Sequence, residues 1–212
     1  MIKKLSFLFV LTMMLTAIVL HKPAEAAALK PGATGAAVTD LQYRLAILGY
    51  YDYKIVPYYG SITTNAVMKF QKNAGLSADG VAGSMTMRAL KKVSASKKEV
   101  AKLARVIYSE ARGESYRGQV AVGAVIMNRV HSPQFPDTVH NVIFEPNAFS
   151  VVSNGQYWLI PDDTAFKAAK AAATGSDPTN NAVYFYNASQ TESAFMRSLT
   201  VTARIGNHVF AK

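Results

Sequence analysis

Apolar side chains recur at every third or fourth position in several stretches of the chain, and this spacing predicts amphipathic α-helices. The first such stretch contains Val38, Leu41, Leu45 and Leu48. Gly49 follows it directly, and glycine is the residue that most often ends a helix. We therefore predict one helix that ends near Gly49.

A local repeat predicts two further helices in the first half of the chain. Residues 60–67 and residues 83–90, which lie 23 positions apart, share glycine, serine, threonine and alanine at matching positions. Glycine followed by serine ahead of a helical pattern is typical of a helix N-terminus, so both segments are expected to start a helix in the same way. Together with the preceding helix they predict a three-helix module over residues 29–92.

The second half of the chain combines helices with short strands. Residues 100–111 carry a single apolar stripe, and residues 120–127 are almost continuously apolar, as expected for a central buried helix. An alanine-rich helix is predicted up to Ala173. Alternating patterns predict a small antiparallel sheet with strands at 183–186, 200–203 and 208–210. The predicted fold class is α+β, with the three-helix module followed by a mainly helical domain that carries this sheet.

Charge and composition narrow the possible partners. Basic residues outnumber acidic ones by 23 to 13, for a formal net charge of +10, which favours an anionic partner such as nucleic acid, a membrane surface or a cell-wall polymer. Four lysines and one glutamate fall within residues 91–99, so we place a basic linker at 93–99 and a second domain at 100–212. The sequence contains no cysteine, which excludes disulfides, thiolate zinc sites and cysteine nucleophiles.

The N-terminus has the three parts of a secretory signal peptide. Two lysines near the start precede an uncharged stretch over residues 5–20, and Ala24-Glu25-Ala26 matches a cleavage signature. We therefore predict a signal peptide over residues 1–26 and an exported protein, with an uncleaved membrane anchor as the alternative. Export separates the protein from the chromosome, so we expect a wall polymer as the partner, no nucleic acid, and no stable membrane span after cleavage. No motif specifies an accessory protein.

Glu110 is the candidate catalytic acid. At about 100° per residue it lies at the edge of the apolar stripe of residues 100–111, and it falls in the last turn of that helix, since Gly113 follows. Partial burial and the negative end of the helix dipole both disfavour the ionised carboxylate, so both are expected to raise its pKa. A glycosidase needs such a group to protonate the leaving oxygen. A surface ion pair with Arg112 or Lys102 is the alternative role.

The number of carboxylates separates two mechanisms. Glycoside hydrolysis usually needs two, whereas a lytic transglycosylase needs one that acts first as acid and then as base. Glu114 lies just before the next predicted helix, where a negative charge is favoured. The other acidic residues of this half occupy polar, loop or helix-start positions, which favours the one-carboxylate mechanism and leaves plain hydrolysis as the alternative.

A metal-dependent amidase or peptidase is a rival from another enzyme class. Beyond the signal peptide the histidines are His131, His140 and His208, and no motif with metal-ligand spacing links them. We therefore expect no metal and no cofactor. A non-catalytic wall-binding protein is the third interpretation, and it would leave Glu110 without a role.

Residues 29–92 resemble the peptidoglycan-binding domain family of helical repeats. The resemblance rests on the glycines, on both glutamines and on the spacing of Leu29-Lys-Pro-Gly, Val38-x-x-Leu41-Gln42-x-x-Leu45, Leu48-Gly49-Tyr50-Tyr51, Tyr59-Gly60, Ala66-Val67-x-x-Phe70-Gln71 and Asp79-Gly80-Val81-x-Gly83. It implies a module that binds peptidoglycan without catalysis. The glutamines and the tyrosines at turn edges are expected to contact sugar or peptide, and the apolar residues to form the core.

Residues 100–212 resemble the cell-wall hydrolase domain of the spore-cortex-lytic enzymes of the SleB type. The resemblance rests on Ala104-Arg-x-Ile107-Tyr-x-Glu110-Ala-Arg-Gly-Glu114, Gly118-Gln119-x-Ala121-Val122, Asn128-Arg129-Val130, Ala148-Phe149-Ser150, Tyr184-Phe-Tyr186-Asn187 and Ile205-Gly206-Asn207-His208-x-Phe210. It implies a lysozyme-like domain that cuts glycan strands as a lytic transglycosylase, with Glu110 as the catalytic acid, in the spore cortex or the cell wall.

Aromatic and polar residues outside the helices are candidates for binding the glycan. Tyr184 and Tyr186 alternate along a predicted strand and so share one face, which suits stacking on sugar rings, although core positions are the alternative for aromatics. We expect the substrate-binding cleft to be lined by Glu114, Phe149, Ser150, Tyr184, Tyr186, Asn207 and His208.

Overall fold

The computed structural model describes residues 28–212, so the predicted signal peptide over residues 1–26 lies outside the described residues. In the described part, three helices form the first module: α1 (Ala36–Ile47), α2 (Ser61–Asn73) and α3 (Ser84–Val93). The second half contains α4 (Lys97–Ala111), α5 (Tyr116–His131), α6 (Val139–Phe144), α7 (Ser150–Ser153), α8 (Asp163–Ala173), β1 (Tyr184–Asn187), α9 (Ala194–Ser198), β2 (Val201–Ile205) and β3 (His208–Ala211). The predicted fold class is confirmed.

The first module has a hydrophobic core of its own. Its buried cluster includes Leu41, Tyr59, Val67, Phe70 and Leu90, which come from all three helices and from the chain that enters α2. The predicted repeat appears as two helices that start alike, because α2 follows Gly60 and α3 follows Gly83, both in extended backbone conformation.

Two buried glutamines explain why this repeat recurs. Gln42 of α1 donates from Nε2 to Thr63 Oγ1 at the start of α2, over 2.9 Å. Gln71 of α2 donates in the same way to Thr86 Oγ1 at the start of α3, over 3.0 Å. Each glutamine therefore binds the threonine at the same position of the following helix.

The expectation that these glutamines contact sugar or peptide is wrong. Gln42 and Gln71 are fully buried, and their side-chain oxygens also accept hydrogen bonds from the backbone amides of Val56 and Gly80. A buried amide must satisfy its donors and acceptor internally, and these two do so by joining successive helices.

Arg44 links the first module to the second half of the chain. It is 6% exposed, and its guanidinium donates to the Ser94 carbonyl over 2.7 Å and pairs with Asp40 and Glu99 at 2.9 and 3.2 Å. Within the segment 93–99, α3 ends at Val93 and α4 begins at Lys97, and Ser94 is buried. The basic segment is therefore short and held in place by a buried cation of α1.

The second half is built around α5. Residues 118–127 of this helix are all buried, and α4 and α8 make its most extensive helix contacts. Gly123 permits the close approach, because a Cβ atom there would lie 2.8 Å from Ala172 of α8 and 2.9 Å from Ile107 of α4. The three strands form an antiparallel sheet in the order β1-β3-β2, and Phe210 of β3 lies in the same core as α5. No helix in residues 28–212 has the length and apolarity needed to cross a membrane.

Candidate active site

Helix α4 places Glu110 at the edge of the core. Its N-terminus is a capping box, in which the Ser96 side chain accepts from the Glu99 amide and the Glu99 carboxylate accepts from the Ser96 amide. Leu103 and Ile107 on the apolar stripe are fully buried, and Glu110 follows them in the last turn, half-buried. Burial raises the pKa of Glu110 from its ordinary value of 4.5 to about 6. The side chain therefore has the position and the proton affinity expected of a general acid.

The Glu110 side chain lines a cavity of about 590 Å³. The cavity is bounded by the end of α4, the loop that follows it, the start of α7, strand β1 with the segment after it, and the turn between β2 and β3. The residues that line it are Glu110, Ala111, Gly113, Glu114, Arg129, Ala148, Phe149, Ser150, Phe185, Tyr186, Asn187, Gln190, Thr191, Met196, Asn207 and His208.

Glu114 is held by the β2–β3 turn. Its carboxylate accepts a hydrogen bond from the side-chain amide of Asn207 at 2.9 Å and from the backbone amide of Asn207 at 3.3 Å. The turn can approach this closely because position 206 is glycine: a Cβ atom there would lie 1.7 Å from Glu114 Oε2, and Gly206 has φ of +59°. The Glu114 carboxylate therefore uses its acceptor capacity on the turn that places Asn207 and His208 at the cavity.

His208 is a buried polar residue at the cavity wall. It is 8% exposed, and its Nδ1 atom has no hydrogen-bond partner among residues 28–212. Burial lowers the pKa of His208, although the nearby charge of Glu114 acts in the opposite direction. The ring is therefore neutral at neutral pH, with one nitrogen that donates and one that accepts a hydrogen bond.

The structure brings together seven of the eight predicted site residues. Tyr186 and Ser150 line the cavity from β1 and α7, and Phe149 lines it while remaining 5% exposed, so this ring belongs to the wall and to the core at once. Tyr184 does not line the cavity. It packs instead against Phe135 and Phe195, with ring centroids 6.0 and 5.7 Å apart.

The strand register gives the reason for the different positions of the two tyrosines. Tyr184 pairs with Ala211 at one end of the sheet, whereas Asn187 pairs with His208 at the end that reaches the cavity. Tyr184 therefore lies about 6–7 Å further along β1 than Tyr186, at the usual rise of roughly 3.3 Å per residue.

Several lining residues were not predicted from the sequence. Arg129 donates from Nε to the Val183 carbonyl over 2.7 Å and also lines the cavity. Gln190 and Thr191 come from the irregular segment after β1, and Met196 comes from the short helix α9. Neither stretch is long enough for a periodic pattern to mark the side that faces inward. The polar run after Asn187 is the signal that could have pointed to this segment.

Glu110 is the one carboxyl of the described residues whose pKa is raised clearly. For Glu99 and Asp177 burial is outweighed by hydrogen bonds, which lower their pKa values. The same part of the chain contains no group of three or more His, Asp and Glu side chains that could hold a metal ion. The arrangement thus provides one proton donor, a neutral imidazole and an aromatic wall in a cavity large enough for a small-molecule ligand.

Two family models match this chain. The family model described as Cell Wall Hydrolase matches residues 113–211, and the one described as Putative peptidoglycan binding domain matches residues 34–90. The match to the hydrolase family begins three residues after Glu110, so Glu110 is a candidate on its geometry alone.

Relatives of known name match both halves of the chain. The spore cortex-lytic enzyme of Bacillus cereus is 36% identical over 85% of this chain and 85% of its own length. That of Oceanobacillus iheyensis is 34% identical over 87% of each chain. The solved catalytic domain of the germination-specific lytic transglycosylase SleB from Bacillus anthracis is 47% identical, has a TM-score of 0.53, and covers 56% of this chain and 97% of its own. The chain therefore belongs to the spore cortex-lytic enzyme family of cell wall hydrolases.

Proposed function

We propose that this protein is an exported enzyme that cleaves peptidoglycan glycan strands between N-acetylmuramic acid and N-acetylglucosamine, as a lytic transglycosylase of the spore cortex or cell wall. The observation that carries the proposal is Glu110, a half-buried carboxyl whose pKa is raised to about 6 by burial at the wall of an open cavity. The spore cortex-lytic relatives and the peptidoglycan-binding family model support peptidoglycan as the substrate.

Glu110 takes two roles in sequence. As an acid it gives its proton to the glycosidic oxygen, and the bond from that oxygen to C1 of the muramic residue breaks. As a carboxylate it then takes the proton of the C6 hydroxyl of the same residue, whose oxygen attacks C1 and closes a 1,6-anhydro ring. The enzyme ends with Glu110 protonated again, and no water is consumed.

The state of Glu114 favours this mechanism over hydrolysis. A hydrolase needs a second carboxylate that is free to activate water or to attack C1. Glu114 is the other acidic residue of the cavity, and its oxygens already accept hydrogen bonds from Asn207. We infer that Glu114 acts as a positioning residue for the β2–β3 turn.

The remaining lining residues hold the sugar rings. Tyr186 and Phe149 supply aromatic faces, and Ser150, Asn207 and His208 supply hydrogen-bonding groups. Tyr184 lies outside the cavity lining and supports it from behind, since its ring centroid is 5.7 Å from the guanidinium carbon of Arg129.

The first module tethers the enzyme to its insoluble substrate. Tyr53 and Tyr58 are 61% and 54% exposed in the segment between α1 and α2, and they are the tyrosines of this module best placed to contact peptidoglycan. The signal peptide predicted over residues 1–26 accounts for export to the wall.

A matched pair of variants tests the assignment of Glu110. Glu110→Gln keeps the shape of the side chain and removes the transferable proton, so turnover of purified peptidoglycan should fall by at least about 10²–10⁴-fold. Glu114→Gln retains an acceptor for Asn207 and should cost much less. If both variants fold and both are inactive, a two-carboxylate hydrolase becomes the better account. If Glu114→Gln is inactive and Glu110→Gln is not, the assignment is overturned.

A further inference from the structure

Arg129 is a buried cation in the wall of the candidate active site. It lies in the last turn of α5 and is 7% exposed. Its guanidinium carbon lies 5.1 Å from the ring centroid of Phe135, 5.3 Å from that of Phe149 and 5.7 Å from that of Tyr184. Three aromatic rings and one hydrogen bond, from Nε to the Val183 carbonyl, thus hold the group in place.

The charge of Arg129 is not neutralised by a partner in the described structure. Among residues 28–212 no carboxylate lies within ion-pair distance of its guanidinium, and Glu145 acts on it only from further away. The last turn of a helix and the faces of the three aromatic rings each stabilise a cation by about 0.3–2 kcal/mol. The one hydrogen bond that the guanidinium donates within residues 28–212 comes from Nε, so its two terminal nitrogens are available to an anionic or carbonyl oxygen of a bound ligand.

The position of Arg129 places that oxygen within the substrate cavity. Arg129 lines the same cavity as Glu110. The two side chains do not form an ion pair with each other. The guanidinium is therefore available to contact a substituent of a sugar ring bound in the cavity.

We propose that Arg129 binds the carbonyl or carboxylate oxygen of the lactyl group on C3 of the muramic residue whose bond is cut. This inference rests on the proposed function, because the lactyl group is what distinguishes N-acetylmuramic acid from N-acetylglucosamine. A guanidinium presents paired N–H donors that match the two oxygens of a carboxylate or one carbonyl. Arg129 is then a specificity-determining residue that orients the strand, with the muramic C1 toward Glu110.

The proposal is tested by ligand binding in the full chain carrying Glu110→Gln, so that no turnover occurs. Two tetrasaccharides are compared: one of alternating N-acetylglucosamine and N-acetylmuramic acid with free lactyl carboxylates, and chitotetraose, which has no lactyl group. Adding Arg129→Met should weaken binding of the muramic tetrasaccharide about 10- to 100-fold and change binding of chitotetraose by less than about twofold. A muramic tetrasaccharide whose lactyl groups are amidated shows whether the charge or the carbonyl is bound.

Arg105→Met is the matched control. The guanidinium carbon of Arg105 also lies near two aromatic rings, 6.0 Å from the ring centroid of Tyr157 and 5.9 Å from the ring centroid of Trp158. Unlike Arg129, Arg105 does not line the cavity. This variant should leave both dissociation constants unchanged. Arg129→Met should fold, because replacing an unpaired buried charge by an apolar side chain of similar volume is often neutral or stabilising.

A structure of the Glu110→Gln chain with the muramic tetrasaccharide keeps the proposal falsifiable if Arg129→Met does not fold. A lactyl oxygen within hydrogen-bond distance of the Arg129 guanidinium is the expected result, and a lactyl group that points away from it overturns the proposal. Equal weakening of both saccharides by Arg129→Met also overturns it, since that result indicates a general effect on the cavity. If neither saccharide binds in the cavity, the proposed function itself fails.

Discussion

The carboxylate of Glu114 accepts hydrogen bonds from both the side-chain and the backbone amide of Asn207, which lies 93 residues later in the chain. This contact joins the loop after α4 to the β2–β3 turn. Helix α4 carries Glu110, and strand β3 begins at His208. Both Glu110 and Glu114 line the cavity, but only Glu114 is hydrogen-bonded to Asn207 of the turn.

Gly206→Ala should break this contact. A Cβ atom at position 206 would lie 1.7 Å from Glu114 Oε2, so the turn must move away from Glu114. Gly175→Ala is the control, because Gly175 also has positive φ, +96°, but a Cβ atom there meets nothing within 4 Å. Both variants should lose roughly 1–2 kcal/mol of stability for the left-handed backbone. Only Gly206→Ala should also lose most of the turnover of peptidoglycan, and equal activities would contradict the positioning role of Glu114.

Glu110→Gln should stabilise the protein in a pH-dependent way. Burial raises the pKa of Glu110 from 4.5 to about 6, so the folded state binds more protons than the unfolded state between these values, and stability falls as pH rises through them. At the upper end the ionised carboxylate costs the folded state about 2 kcal/mol. Thermal unfolding should show Glu110→Gln close to wild type near pH 4 and more stable at pH 8. A difference that does not change with pH would argue against a raised pKa.

The same pKa predicts a pH dependence of catalysis. The first step of the proposed mechanism needs protonated Glu110, so turnover should decline as the pH rises above about 6. A metal-bound hydroxide would instead lose activity on the acid side, where its water regains a proton. Initial rates of peptidoglycan solubilisation between pH 4 and 9 distinguish these profiles.

Arg44→Ala should destabilise the contact between the two halves of the chain. The change leaves the buried Ser94 carbonyl without its donor and separates Asp40 and Glu99 from their cation. Because both carboxylates are about a third exposed, we expect a cost of roughly 1–3 kcal/mol. Arg88→Ala, on the exposed face of α3, is the control and should change the free energy of unfolding by less than about 0.5 kcal/mol.

Binding of the first module to peptidoglycan is measured by sedimentation with the insoluble polymer. The two variants are made in the chain that carries Glu110→Gln. Tyr53→Ala and Tyr58→Ala should each weaken the free energy of binding to peptidoglycan by about 1 kcal/mol. Met85→Ala is the matched control, since Met85 is 68% exposed on α3. Retention should also weaken at raised salt, because part of the attraction is electrostatic. If retention is the same in both tyrosine variants as in the parent chain, the binding surface lies elsewhere on the module.

Local patterns predicted the parts of the fold that depend on neighbours in sequence. The apolar stripe of α4 is read from residues 100–111 alone, and it placed Glu110 correctly at the edge of the buried face. The cap of α5 at Ser115 and that of α8 at Asp162 likewise follow from the sequence just before each helix.

Contacts between distant segments were beyond such patterns. Gln42 and Gln71 carry the polar groups of a ligand-binding residue, and only the packing of successive helices shows that their partners are Thr63 and Thr86. The contact between Glu114 and Asn207 depends on how the sheet packs against α5. The alternation along β1 placed Tyr184 and Tyr186 on one face, but the end of the strand that reaches the cavity is set by its register with β3.

Mass analysis of the fragments released from purified peptidoglycan tests the central claim most directly. If Glu110 serves as both acid and base, the muramic ends carry a 1,6-anhydro ring and have lost one water relative to a reducing end. These anhydro ends should form the great majority of products and should be absent with Glu110→Gln. Reducing muramic ends as the main product would mean that water attacks C1, and would contradict the one-carboxylate mechanism.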